Sequence, residues 1–309
     1  MKRNFAAFNS SKANFDANYT RDDPRGYFSA LGSLDYMIPD LAAPVVRQIL
    51  AARRLRYAGD PLVLDVGCSY GINAAVHRYP VTFGMLRRRD TRHELAGLTS
   101  AELLELDKRY YASWPVVGHA RFAGLDISAP AVQYATQVGL LEHGIVGDLE
   151  VNDLSAVDVE RVENVDVILS TGAVGYVSDE TYRTLLASTR RVPWIISFVL
   201  RTFPYSEFAD AFAEHGLVTE RLASALFVQR RFRDASELGS SLEILKRRGI
   251  QTEGFEADGR LRAELYLSRP ADDVKSAPLE QIVTVSSGLN RPVGTRYVKV
   301  GDLEMALEP

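Results

Sequence analysis

Cysteine is almost missing from this sequence: Cys68 stands alone among 309 residues. A single thiol excludes an intramolecular disulfide and a thiolate metal cluster. Charge of one sign is not in surplus either, with 36 basic residues against 40 acidic ones and a net charge of −4. A protein that follows a nucleic acid over many phosphates ordinarily carries a basic excess, so no nucleic-acid partner is expected. Long apolar runs are absent, and nothing approaches the roughly 18 residues that a membrane span needs. The opening stretch, MKRNFAAFNSSKANFDANY, holds no apolar core of signal-peptide length, so a cytoplasmic protein is expected. Histidines are few, and His93, His119, His143 and His215 show no metal-ligand spacing. The rest is ordinary globular composition, 46% hydrophobic and 25% charged.

Through the middle of the chain, short apolar runs alternate with helix-like segments. That is the pattern of a parallel sheet with helices on its faces. Residues 62–66 (LVLDV), 121–127 (RFAGLDI), 144–148 (GIVGD), 165–170 (VDVILS) and 194–200 (WIISFVL) read as strands. A strand covered on both faces loses the alternation of a half-wet one, as these five do. Residues 224–232 and 261–267 read as an antiparallel edge pair joined by a helix over 237–248, for about seven strands in all. Helices are expected over 73–79, 130–138 with Ser128 as cap, 178–190 and 207–215. Three segments fall outside this α/β core at 61–270 or interrupt it. They are a helical N-terminal cap (1–60, with a helix near 43–56), an insertion after the first helix (80–118), and a loosely packed C-terminal extension (271–309). The insertion carries a capping box at Thr99–Glu102, so it holds a real helix.

The most informative stretch is LVLDVGCSYGINAA, residues 62–75. A strand ends at Asp65, turns through Gly67 and Gly71, and enters a helix whose first N–H groups are free. Ligands of open parallel sheets bind beyond the carboxyl ends of the strands, so this turn is expected to line a cofactor site. The dinucleotide fingerprint G-x-G-x-x-G is absent, with Ser69 at the central position. An acid just before the turn repels a pyrophosphate and suits a cation such as an amino group.

DVGCSYG (65–71), GLDIS (124–128), GDLE (147–150) and DVILSTGAVGYV (166–177) together resemble the successive motifs of class I S-adenosylmethionine (SAM)-dependent methyltransferases. The resemblance runs from about Leu62 to Pro270 and implies a Rossmann-like doubly wound sheet. It implies that Asp65, Gly67, Ser69, Tyr70 and Gly71 surround the methionine part of SAM, and that Asp126 and Ile127 meet the ribose end. It further implies that Asp148 and Leu149 flank the adenine and that Thr171 lines the methyl side. Ser69 in place of a glycine and the long insertion before Asp126 depart from the family pattern.

Methyl transfer from a sulfonium needs alignment first, and a base only where the acceptor carries a proton. Tyr176, Tyr19, Tyr27, Arg25 and His77 are the candidates for the acceptor side, with His77 the one candidate base. No metal is expected: Asp22–Asp23 and Asp272–Asp273 fall outside the strands and read as solvated charge pairs. Arg87–Arg89 and Arg230–Arg231 likewise read as solvated faces, and Cys68 as small-residue packing. After the fourth strand the chain reads Ser170-Thr171-Gly172-Ala173, which lacks the Pro-Pro-aromatic signature of base-modifying enzymes. The expected reaction is methylation of an O, N or C atom of a small molecule in biosynthesis, within specialised metabolism. The alternatives are a nicotinamide oxidoreductase, a SAM-binding protein without turnover, and an enzyme using the sulfonium only as a charge. The insertion is either a lid or substrate wall, or else a surface excursion or dimer contact, and a homodimer is left open.

Overall fold

Five strands run parallel: β1 (Leu62–Val66), β2 (Arg121–Asp126), β3 (His143–Val146), β4 (Val167–Ser170) and β5 (Trp194–Leu200). Their spatial order is β3-β2-β1-β4-β5, so the winding reverses at β1 and opens a crevice at the carboxyl ends of β1 and β4. Next come β6 (Leu217–Arg221), β7 (Leu226–Arg231) and β8 (Arg260–Pro270). β8 lies antiparallel between β5 and β7, and β6 also pairs with it. The computed structural model describes residues 20–285, 297–299 and 304–307, and the last two groups form β9 (Tyr297–Lys299) and β10 (Glu304–Leu307) beyond β7. The sheet therefore has ten strands where about seven are expected. β6 escapes the pattern because LVTER buries only its first residue and reads as a polar loop. No helix among the described residues is long and apolar enough to cross a membrane.

Two apolar layers sandwich the sheet. On one face Val63, Phe122, Leu169, Ile196 and Phe198 pack under α1 (Arg25–Gly32), α2 (Ile38–Arg56) and α3 (Ile72–Arg78). The inserted helices α4 (Phe83–Asp90) and α5 (Ser100–Ala112), and α6 (Ala129–Gln137) behind β2, complete this layer. On the other face Leu64, Ile168 and Ile195 meet Tyr182, Leu185, Phe208 and Phe212. Those residues belong to α8 (Asp179–Ser188) and α9 (Ser206–Glu214), which follow the short α7 (Ala156–Val162). After β7 come α10 (Ala235–Arg247) and, beyond β8, α11 (Ala271–Ser276) and α12 (Leu279–Ile282).

The expected caps are present. Ala131 N–H donates to Ser128 Oγ at the start of α6, and Thr99 with Glu102 forms the capping box of α5. The extension corrects its expectation as far as residue 285, because Leu279 and Val283 are buried in the first layer. Asp273 is also buried, accepting from Arg56 Nε (2.9 Å), Tyr57 OH (2.7 Å) and Trp194 Nε1 (2.9 Å). It is a structural tie, and only Asp272 of that pair is a solvated charge. Asp23 is buried too, held by Arg25 and by Ser100 Oγ at 2.7 Å. Arg230 forms a buried two-point pair with Glu237 (2.9 and 2.6 Å), whereas its neighbour Arg231 is half exposed. In the Arg87–Arg89 run, Arg87 donates to Gly32 O and Arg89 bridges Asp90 and Asp107; Arg88 alone is exposed. The insertion thus folds as part of the cap: Phe83 packs on Tyr27, Phe28 and Tyr36.

Candidate active site

The turn after β1 has the backbone that its sequence demands. Gly67 and Gly71 take φ of +74° and +77°, in the left-handed region. A Cβ on Gly67 would stand 2.8 Å from Ala173 Cβ, so the turn needs glycine to pass the loop after β4. Ser69 also sits at positive φ, +46°, where the resembling family has glycine. The strand-to-helix turn keeps its shape, and the serine carries a strain of about 1–2 kcal/mol. Its N–H donates to Asp126 Oδ2 at 2.9 Å, while its hydroxyl is buried without a hydrogen-bond partner among the described residues. Cys68 packs over Gly124, and burial raises its thiol pKa well above the ordinary value, which fits packing and not reactivity.

Asp65 lies fully buried beneath this turn. Its Oδ1 accepts from Asn73 Nδ2 at 2.9 Å, and Oδ2 has no partner among the described residues. Burial, reinforced by the charge of Asp126 and only partly offset by Asn73, pushes its pKa from 3.8 to about 7. Asn73 Nδ2 also reaches Thr171 Oγ1 at 3.0 Å, which joins the β1 turn to the β4 loop. Sequence reasoning missed Asn73; its position two residues past Gly71, in the first turn of α3, was the available signal.

Asp126, at the end of β2, accepts from Ser69 N–H and from Ser128 N–H, each at 2.9 Å. Burial raises its pKa despite these bonds. Beside it Ile127 is 73% exposed, a large apolar side chain on the crevice rim. Across the end of β3, Leu149 is buried and Asp148 exposed, its Oδ1 accepting from Glu150 N–H. Glu150 in turn holds the start of α8 through Ser178 and Thr181, at 2.6–2.9 Å. The structure therefore brings Asp65, Gly67, Ser69, Gly71, Asp126 and Thr171 to one turn cluster at the carboxyl ends of the strands. Tyr70 points away from the sheet, under the cap: its ring meets Tyr27 and its hydroxyl donates to Arg21 O at 2.8 Å.

The acceptor-side candidates separate. Tyr176 stands 56% exposed on the loop after β4. Tyr27 is buried in the cap and hydrogen-bonded to Tyr36. Arg25 is occupied by Asp23 and by the carbonyls of Leu95 and Leu98, so it ties the insertion to the cap. His77 stacks on Phe122 inside the apolar layer, and burial lowers its pKa to about 3. It remains neutral and packed there, which corrects its candidacy as a base. Tyr19 lies outside the described residues. Two surface cavities, one on the insertion and one at the amino ends of β1–β3, include no residue of the turn cluster. No group of metal-ligating side chains occurs among the described residues.

No family model and no curated protein matches the chain. Solved structures do. The plantazolicin methyltransferase BpumL, in complex with S-adenosylhomocysteine (SAH), is 14% identical over 86% of this chain and 95% of its own, with a TM-score of 0.39. The YcgJ protein of Bacillus subtilis is 11% identical over 72% of this chain and 97% of its own, at 0.40. A SAM-dependent methyltransferase of Geobacter sulfurreducens bound to SAH is 14% identical over 72% and 90%, at 0.33. At identities and scores this low the function has to be argued from the chain's own residues. Those residues build the open, doubly wound sheet with a strand-to-helix glycine turn at its reversal point.

Proposed function

We propose that the chain is a SAM-dependent methyltransferase acting on a small molecule. The observation that carries this reading is the orphaned Oδ2 of Asp65, buried beside a left-handed glycine turn. A buried carboxylate oxygen without a partner costs several kcal/mol, and a cationic ligand group offsets that cost. Ammonium on an amino-acid tail meets this need, whereas a dinucleotide pyrophosphate is repelled by it. The residues fit the rest of the cofactor as well. Asp126 retains lone pairs to accept from two ribose hydroxyls, and Ile127 offers an exposed apolar surface for a flat base. Asp148, exposed beside Leu149, is free to accept from an exocyclic amine.

When bound, the sulfonium supplies a methyl group whose bond to sulfur breaks as the acceptor's lone pair takes the carbon, the old bonding pair returning to sulfur. The chain's part is alignment. The Asp65–Asn73–Thr171 hydrogen bonds fix the β1 turn against the β4 loop. Glu150 sets the β3 loop against α8, and the cap closes over Tyr70. Neither a histidine nor a metal cluster is needed for an acceptor that reacts through a free lone pair, and a departing proton leaves to water. The cytoplasm and a biosynthetic role belong to the same reading.

Isothermal titration with SAH tests it. Micromolar binding is expected, with methyl label passing from SAM to a small molecule of a metabolite extract. No SAH binding at millimolar ligand, or tighter binding of NADH, overturns it.

A further inference from the structure

β7 carries a bulge: Val228 faces Arg262 and Arg230 faces Leu261, so Gln229 is the extra residue. Bulges re-aim a side chain, and this one sends the Gln229 amide across the sheet's carboxyl rim. Its Nε2 comes so close to Gly172, just after Thr171, that a Cβ there would stand 2.8 Å away. Gln229 is only 8% exposed. The bulge also fixes its neighbour. Met37 N–H donates to Gln229 O (2.9 Å), and Arg231 N–H donates to Leu34 O (2.7 Å). These two bonds bracket Tyr36 and place it alongside Gln229. Between them Asp35 takes a φ of +52°, a left-handed conformation that a non-glycine residue adopts at a cost. Burial and then the nearby Asp65 charge raise the pKa of Tyr36, so its hydroxyl stays protonated beside the turn cluster.

Resting on the methyltransferase reading, we propose that the Gln229 amide and the Tyr36 hydroxyl form the acceptor-binding wall, and that they select an uncharged acceptor bearing an amide, carbonyl or hydroxyl group. An amide and a phenol supply neutral donors and acceptors only. Arg230, the next residue, is already matched by two bonds to Glu237, so among the described residues it does not wait for a carboxylate. An amine cation would meet the sulfonium. A site built to hydrogen-bond a neutral group rejects ligands that leave its amide unpaired.

Ligand-observed NMR on the SAM-saturated protein tests this with benzamide, benzoate and benzylamine, which share a size and differ in charge. Benzamide is expected to bind at least tenfold more tightly than the other two. Gln229→Leu, of similar shape, is expected to weaken benzamide at least tenfold and to leave the SAH Kd within twofold. Tyr36→Phe keeps the ring against Phe83 and serves if the leucine variant does not fold, with at least a fivefold loss of benzamide expected. Binding of benzoate or benzylamine as tight as benzamide, binding of none of the three, or an unchanged benzamide Kd in a variant that still binds SAH overturns the proposal. Failure of the wild-type protein to bind SAH overturns the methyltransferase reading, and the wall proposal falls with it.

Discussion

The backbone N–H of Ser69 donates to the carboxylate of Asp126 at 2.9 Å, so the β1 turn and the end of β2 hold each other in place. Asp126→Ala removes an acceptor from Ser69 and from Ser128 together with the oxygens available to a ribose. SAH affinity is expected to fall by about 1.5–3 kcal/mol, and unfolding free energy by about 1–2 kcal/mol. Titration calorimetry and urea unfolding read the two losses separately. An SAH Kd unchanged within twofold would mean that Asp126 does not touch the ribose.

Ser69 is a strained residue whose buried hydroxyl has no partner among the described residues. Ser69→Gly relieves both penalties and loses only the added freedom of the unfolded chain, about 0.5–1 kcal/mol. The glycine variant is expected to be more stable by about 1 kcal/mol, seen as a higher urea midpoint at unchanged slope. A less stable variant would mean that the serine hydroxyl finds a partner.

Asp65 gives a pH dependence of definite sign. Its folded pKa, about 7, lies above the ordinary 3.8, so the folded state holds this proton longer than the unfolded chain. Stability is therefore lost as pH rises from about 4 to 7 and stays low above. Asp65→Asn removes the penalty: the free protein should gain roughly 2–4 kcal/mol at pH 8 and nothing at pH 4. The same variant should bind SAH poorly. In the wild type, SAH binding should weaken about tenfold for each pH unit below 7, since a proton competes with the ammonium. Equal SAH affinity at pH 5.5 and 8 would sink this account.

Four of the five parallel strands were legible as apolar runs largely covered on both faces, and β5 matches its expected limits, Trp194–Leu200; β3, at the edge, buries only Ile145. β6 was not, because only Leu217 is buried and its strand character comes from pairing with β8. α1 and α4 were missed for a related reason. Both are short, and their Phe28 and Phe83 find burial against each other, a contact no local pattern encodes. In the site, Asp65 and Gly67 stood out through the spacing of the glycine turn, and Asp126 only through the family resemblance, its distance along the chain being unusual. Gln229 and Tyr36 did not, since a bulge in β7 and a left-handed residue at Asp35 bring them to the rim. The same limit explains the misread charges: Asp23, Arg230 and Asp273 look like surface residues until their distant partners are known.

Asp273 supplies the last test, because it ties the end of α2 to the chain beyond β8. Burial alone would raise its pKa, but hydrogen bonds from Tyr57, Arg56 and Trp194 outweigh it and hold it below 3.8. A carboxylate depressed in this way contributes stability above the unfolded pKa and loses it as pH falls through the folded value, below 4. Arg56 is about half exposed, so water screens its share, and the buried Trp194 bond and Tyr57 carry more of the tie. Asp273→Ala is expected to cost about 2–3 kcal/mol at pH 7, with the difference shrinking as the pH falls below 4. The tie lies at the amino end of the sheet, by the start of β5, away from the glycine turn. The folded variant should therefore bind SAH as the wild type does. A weakened SAH Kd at full folding would mean that α2 transmits strain from this tie to Tyr36 at its other end.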